Sequence, residues 1–363
     1  MSVAVIPYRQ ILSLYHRSKF YLDLPMVYQI LQFREVRKRF YTELWQTAAR
    51  NVGADFEHWK FGYFRLRRDG LTTVVQQSRV MLDDQLTLNI MGNKILTYEL
   101  MREKGAKVPD SCAYTLSSFE DAKAFMARQN GLVVVKPASG TGGGRGVSTG
   151  ITSLAALKKA SRLAARSSEH LLVEEQIEGD SYRLLYLDGQ FIDAIRRDPP
   201  TVTGDGRHTI RQLIKEENKQ RLKGQPFTAM NPLLLDRDCR NKLRAQDLRP
   251  GSRPAEGEVI VVKQAINANA ARENHTVKDQ VHPDLIEAGA DLVKALGVRF
   301  AGLDWMCSDI SLPLTNSDGR FNEVNTTPGI HHHYLVAEPD NATPVAERLL
   351  EHMFTTRQGV MAL

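Results

Sequence analysis

The chain has 363 residues, 42% of them hydrophobic and 25% charged, with a formal net charge of +6. That is room for two or three packed subdomains with a real core, and no apolar run approaches the roughly 20 residues of a bilayer-spanning helix. The first residues lack a signal peptide's pattern, and Cys112, Cys239 and Cys307 are too scattered for a disulfide framework or a zinc ribbon, so the cytoplasm is the expected compartment.

Residues 1–92 are rich in aromatics and arginine. They read as helices followed by a hairpin, "FGYFRLRRDGLTTVVQQ", turning at Asp69-Gly70. In the basic run "REVRKRF" the surrounding Phe33, Val36, Phe40 and Leu44 share one helical face. The charges then form the solvated face, which argues against a nucleic-acid contact. "GNKILTYELMREKGAKVPDS" predicts an amphipathic helix with Ile95, Leu96, Leu100 and Met101 inward, ended at Gly105. The next helix, "SSFEDAKAFMARQNG", has capping-box spacing from Ser117 to Glu120.

The stretch "VVVKPASGTGGGRGVSTG" places five glycines within Gly140 to Gly146. It has neither the Lys-Ser/Thr of a P-loop nor the glycine spacing of a dinucleotide-binding turn. An apolar strand precedes it and "RGVSTGI" reads as a second strand, so the glycines form a hairpin flap whose backbone N–H groups can approach an anion. A helix follows, "SLAALKKASRLAARS", with Ser153 as N-cap. "HLLVEEQIEGDSYRLLYLDGQFIDAIRRDPP" reads as strands around the turn Asp188-Gly189, and "TVTGDGRHTIRQLIKEENKQR" as a turn and a helix. Residues 222–258 look loop-rich. Beyond them come a strand "GEVIVVKQAIN", a helix "HPDLIEAGADLVKALG", and two strands, "RFAGLDWMCSDI" and "GRFNEVNTTPG", joined by the turn "NSDG".

The chemistry concentrates at those last strands. Glu323 and Asn325 are two apart on a strand and so point to one face, and a hairpin can bring Asp304 alongside. Two carboxylates and an amide oxygen suit Mg²⁺ and not zinc. Lys136 ends an apolar strand directly before the flap, where an ammonium would meet phosphate oxygens. Lys94 by itself would read as a solvated lysine at a helix start. In "LLVEEQIEG" a strand end can pair with an adenine edge while Asp180 takes ribose hydroxyls. Three consecutive histidines, His331, His332 and His333, cannot all aim at one ion, so loop or substrate contacts suit them better.

In this order, from about Asn93 to His352, the motifs resemble the ATP-grasp superfamily. "VTGDGRHTIRQLI" and "NEVNTTPG" are most similar to the ATP-grasp modules of cyanophycin synthetase and of bifunctional glutamate–cysteine ligase/glutathione synthetase. The resemblance implies an α+β fold in which two α+β subdomains grip ATP. The divisions would be an N-terminal helical and hairpin region (1–92), a lid subdomain with the flap (93–175) and a C-terminal catalytic subdomain (176–363). It implies that Lys94, Lys136 and the flap glycines Gly142, Gly143 and Gly144 hold phosphates, and that Glu174, Glu175 and Ile177 form the adenine hinge. Asp180 and Lys263 complete the nucleotide set. Asp304, Glu323 and Asn325 would carry two Mg²⁺ ions, with Mn²⁺ an alternative. Arg183, Arg197 and Asn267 would serve the acyl-phosphate and substrate region.

The implied activity joins the carboxylate of an amino acid or small peptide to an amine through an acyl phosphate, releasing ADP and phosphate. Small-molecule acid and amine would be the partners, without nucleic acid or membrane. Alternatives are a phosphotransferase that stops at a phosphorylated product and a non-catalytic ATP-binding scaffold. The chain departs from the family at Ser181, where an acid is usual, and in "NANAARE", which keeps Asn267 but loses the glycines of the acceptor-side loop. No Mur-ligase-like or glutamate–cysteine ligase domain accompanies the motifs, which therefore read as a stand-alone ligase. For residues 1–92 two readings stay open, a wall of the substrate pocket or a homodimer contact.

Overall fold

A long helix, α1 (Leu24–Asn51), begins the part of the chain that the structure, a computed structural model, describes: residues 24–129, 131–140 and 144–362. Phe33, Val36, Phe40, Trp45 and Ala48 are buried along one side of α1, while Arg34, Lys38 and Arg39 face outward. This is the expected helical stripe, 3–4 residues apart. Strands β1 (Asp55–His58), β2 (Phe64–Arg68) and β3 (Leu71–Val75) follow. The β2–β3 turn has φ of 51° at Asp69 and 74° at Gly70, the left-handed pair a two-residue hairpin needs.

Helix α2 (Gln85–Met91) is capped by the Asp84 carboxylate, and α3 (Lys94–Glu103) succeeds it. The buried face of α3 is only in part the one expected, since Met101 is buried and Ile95 and Leu100 are half-buried. Thr97, Tyr98 and Met101 are buried and Leu96 is exposed. The Tyr98 hydroxyl donates to Asn322 at 3.0 Å, and this polar anchor turns the helix.

By packing, the described residues fall into two units. The larger takes residues 33–92, 96–108 and 177–362, the smaller residues 24–32, 93–95 and 109–176. In the smaller unit come β4 (Ser111–Tyr114), α4 (Phe119–Arg128), β5 (Val133–Pro137), β6 (Ser148–Ile151), α5 (Leu154–Ala164) and β7 (Leu171–Glu175). The strands form one antiparallel sheet in the order β4-β7-β5-β6. Phe125, Leu157, Leu171 and Val173 sit in its core with both helices. β5 pairs with β6, so the glycine-rich stretch does join two strands, and Gly142 and Gly143 lie outside the described residues. Ser153 caps α5 as expected. The Ser117–Glu120 box does not form. Ser118 holds the N-cap position of α4 and its Oγ accepts from Thr115 N–H, while Glu120 pairs with Lys123.

The chain then returns to the larger unit with β8 (Asp180–Leu187), β9 (Gln190–Arg197), β10 (Thr201–Thr203), α6 (Ile210–Lys223), α7 (Arg237–Arg244), β11 (Val259–Val261) and β12 (Asn274–Thr276). After these come α8 (Pro283–Ala295), β13 (Phe300–Cys307), β14 (Arg320–Asn325), α9 (Val345–Thr356) and β15 (Met361–Ala362). A five-stranded antiparallel sheet runs β12-β9-β8-β13-β14, and a second sheet runs β1-β2-β3-β15. α7 lies where loop was expected. Only Cys239 and Leu243 of this helix are buried, too few to show a period, and the Asp236 carboxylate caps it. Among the described residues no helix is long and apolar enough to cross a membrane.

Candidate active site

Residues directly opposite one another on antiparallel strands share a face of the sheet. Asp304 on β13 stands opposite Arg183 on β8 and Glu323 on β14, and Arg197 on β9 stands opposite Ser181, two residues before Arg183. The register therefore collects Arg183, Arg197, Asp304 and Glu323 on one face, with Asn325 two residues beyond Glu323. The other face is covered by α8. Tyr186 Oη donates to Ile286 O, and the missing side chain of Gly289 lets it approach: a Cβ there would stand 2.1 Å from that oxygen.

Asp304 is held by two arginines. Arg183 grips it bidentately, Nε to Oδ1 at 2.8 Å and Nη2 to Oδ2 at 3.0 Å, and Arg197 Nη2 reaches Oδ2 at 3.0 Å. All three side chains are buried, so the charges are strongly coupled. Burial works against the Asp304 carboxylate, but the two arginines outweigh it and hold its pKa below the usual carboxylate range. Burial likewise opposes the Arg183 charge, and Asp304 overcomes it and pushes the pKa up. Arg197 goes the other way. Burial, then the positive charge of Arg183, brings it down to about 10 against the pull of Asp304. Ser181 takes a further bond from Arg197 Nη2 at 2.9 Å, which ties its hydroxyl into the cluster. Gly302 makes room for the arginine stem, since a Cβ there would lie 2.9 Å from Pro328 Cβ and 3.1 Å from Arg183 Cδ.

The donors on this face are all oxygen: a carboxylate compensated by arginines, the half-buried Glu323, and Asn325, whose amide nitrogen donates to Gly302 O and leaves its oxygen outward of that bond. Such a set fits a hard divalent cation. Among the described residues no group of three or more His, Cys, Asp or Glu is placed to hold a metal ion, this face included.

Beside the arginines lies a one-turn helix, Ile330–His333, which carries the three histidines expected to make loop or substrate contacts. His333 Nδ1 bonds Asp193 Oδ2 at 2.7 Å, with both side chains fully inside. His331 Nδ1 bonds the Tyr41 hydroxyl at 2.9 Å, and that hydroxyl also bonds Ser78 Oγ at 2.7 Å. Burial, then the charge of Arg183, brings the His331 pKa down to about 3, and burial, then the charges of His331 and the arginines, holds that of His332 well below its ordinary value. Both imidazoles are neutral at pH 7. Arg197 Nε, His332 Nδ1 and His333 Nε2 are buried without a hydrogen-bond partner among the described residues.

The smaller unit carries the other candidates. Lys136 Nζ pairs with Glu174 Oε2 at 2.7 Å across β5 and β7, both buried. Lys94 begins α3 and its backbone N–H donates to Ala138 O, one residue past β5, which brings the two expected phosphate lysines to one strand end. Glu175 closes a ring with Asp110, accepting its N–H through Oε1 and donating its own N–H to Asp110 O. Gly144 has φ of 72°, a conformation glycine adopts without strain.

The remaining candidates lie apart from the arginine cluster's direct contacts. Ile177 is half-buried just before β8, and Asp180, exposed at the head of β8, accepts from the Tyr182 hydroxyl. Lys263 is buried against Asp236 at 2.6 Å. The Asn267 carbonyl accepts from Asn231 Nδ2 at 2.9 Å.

No family model matches the chain. Its sequence is 28% identical over 285 residues to a glutathione biosynthesis bifunctional protein of Clostridium perfringens, covering 77% of this chain and 36% of that one. It is also 28% identical over 278 residues to a cyanophycin synthetase of Trichormus variabilis, covering 76% and 30%. In structure it is similar to a bifunctional glutathione synthetase from Pasteurella multocida, with a TM-score of 0.55 at 21% identity over 84% of this chain and 42% of that one. The chain has the ATP-grasp fold. This ATP-grasp chain spans about a third of the length of the curated relatives it matches.

Proposed function

We propose that this ATP-grasp chain is an ATP-dependent ligase that joins a carboxylate to an amine through an acyl phosphate. The observation that carries the reading is the arginine-clamped Asp304 with Glu323 and Asn325 on one sheet face. The likeness to a glutathione biosynthesis protein and to cyanophycin synthetases supports amino-acid or small-peptide substrates. Lys136 and Lys94, with the flap amides, bind the phosphates of ATP. Glu174, Glu175, Ile177, Asp180 and Lys263 bind its nucleoside. When bound, Mg²⁺ held by Asp304, Glu323 and Asn325 supplies positive charge to the terminal phosphates. Arg183 and Arg197 orient the substrate carboxylate and, with Asn267, the acyl group. Arg197 Nε, buried without a partner among the described residues, is a donor suited to such an oxygen. The chain supplies no covalent nucleophile, and positioning and fixed charge do the work.

The test is nucleotide chromatography under turnover, using ATP, pooled amino acids and hydroxylamine as the amine. ADP, phosphate and an acyl hydroxamate are expected. AMP and pyrophosphate would overturn the acyl-phosphate route, and ADP formation without hydroxamate would favour a phosphotransferase.

A further inference from the structure

Helix α1 lies outside the motifs behind the ligase reading, yet two residues one turn apart on it reach two separate loops of the larger unit. Arg37 Nη1 donates to Met230 O at 2.8 Å and to Asn231 Oδ1 at 2.9 Å, and Asn231 Nδ2 in turn holds the Asn267 carbonyl at 2.9 Å. Arg221 fixes the same loop from behind, its Nη1 donating to Asn231 O and to Ala268 O. Four residues along α1, on the same face, Tyr41 bonds His331 at 2.9 Å and packs edge-on against its ring.

The polar links at Tyr41 form a chain. Ile330 N–H donates to Ser78 Oγ at 3.3 Å, and the hydroxyls of Ser78 and Tyr41 are 2.7 Å apart. If Ser78 donates its hydrogen bond to the Tyr41 oxygen, the Tyr41 hydroxyl donates to His331 Nδ1, and the neutral ring carries its own proton on Nε2. A ring N–H is a donor that a carboxylate oxygen accepts. His331 is only half-buried, and the charges of Arg183 and Arg37 both act on it.

We infer that Arg37 and Tyr41 are positioning residues for the carboxylate substrate. Tyr41 fixes the orientation and the Nε2–H tautomer of His331, and Arg37 fixes the loop of Asn267, so that α1 determines which acid the larger unit accepts. This rests on the ligase reading for its substrate, but not for its tautomer.

Two measurements test it. The first is steady-state turnover with pooled amino acids, MgATP and hydroxylamine. Tyr41→Phe keeps the ring and loses the hydroxyl. It should raise KM for the amino acids about tenfold while KM for ATP stays within about twofold. Arg37→Met should do the same, and Arg37→Lys, which keeps a donor, should recover part of the loss. Equal rises in both KM values, or no rise, would overturn the inference. The second is nitrogen-15 spectroscopy of the histidine rings, which needs no substrate. The wild-type His331 ring should show the Nε2–H form, and Tyr41→Phe a mixture of forms. An unchanged spectrum in Tyr41→Phe overturns the role of Tyr41 whether or not the wild type turns over. A wild type inactive with every amino acid, but with the expected change of spectrum, would instead refute the ligase reading alone.

Discussion

Replacing Asp304 by Asn should destabilise the larger unit heavily. The carboxylate is 10% exposed, and the two guanidiniums it neutralises are 8% and 5% exposed. The substitution keeps the volume and removes the charge behind three hydrogen bonds. It leaves Arg183 and Arg197 facing each other in a buried setting, where the charge of Arg183 already disfavours that of Arg197. Removing one partner of a buried ion pair costs about 3–5 kcal/mol, because the charge left behind is uncompensated. For a unit of this size that is roughly a 10 °C fall in midpoint. Urea unfolding followed by tryptophan fluorescence reads this unit alone, since Trp45, Trp59 and Trp305, the only tryptophans, all belong to it. Adding Arg197→Met to Asp304→Asn should recover at least about 1 kcal/mol, as the second change removes one stranded charge. A cost below about 1 kcal/mol for Asp304→Asn, the range of solvent-exposed pairs, would refute the reasoning.

Gly302→Ala should cost about 1–3 kcal/mol by pressing on Pro328 and the Arg183 stem, and a stability unchanged in the same urea assay would show that the arginine can move aside. Glu323→Ala should abolish turnover while circular dichroism stays unchanged, and near-normal turnover at low Mg²⁺ would place the metal elsewhere. His331 stays neutral down to about pH 3 in the fold but titrates near its ordinary 6.5 when unfolded, so between those values the unfolded chain binds a proton that the native chain does not. Stability is therefore fully present above pH 6.5 and falls as pH drops, by up to about 1.4 kcal/mol per unit for this group. Melting curves from pH 7 to pH 4.5 should show the fall, and His331→Asn should flatten it. Hydrogen exchange across residues 138–147 should slow on adding an MgATP analogue, and unchanged exchange at saturation would count against the flap's role.

Much of the fold was legible because its signals are local. Asp69-Gly70 and Asp188-Gly189 mark hairpins through the left-handed conformations both residues of each pair adopt. Thr209 with Gln212 and Ser153 mark helix starts through their own side chains. Where a distant partner decides, the sequence misleads. Tyr98 turns α3 toward Asn322, 224 positions away. The Ser117–Glu120 spacing fails for a local reason, since Ser118 takes the N-cap position and Lys123 the glutamate. The candidate site divides in the same way. The shared face of Glu323 and Asn325 follows from strand period alone, and a hairpin partner at Asp304 follows from order. That Arg183 and Arg197 both close on Asp304 depends on the register of β8 with β13 and β9, which no short motif encodes. Nor does any spacing announce Tyr41, whose bond to His331 spans 290 positions.

The strand β15 has a bearing on how such a chain is born. Met361 pairs with Thr72, and the Thr73 hydroxyl donates to Gly359 O, so a sheet begun by β1 to β3 is completed only by a strand far along the chain. Residues 109–176 are contiguous and can close their own core while still tethered to the ribosome. The larger unit, interrupted by them, waits with α1 and its first hairpin exposed until β15 has emerged. Its early segments are then the ones a chaperone has most time to meet, and completion of its fold should depend on the arrival of β15.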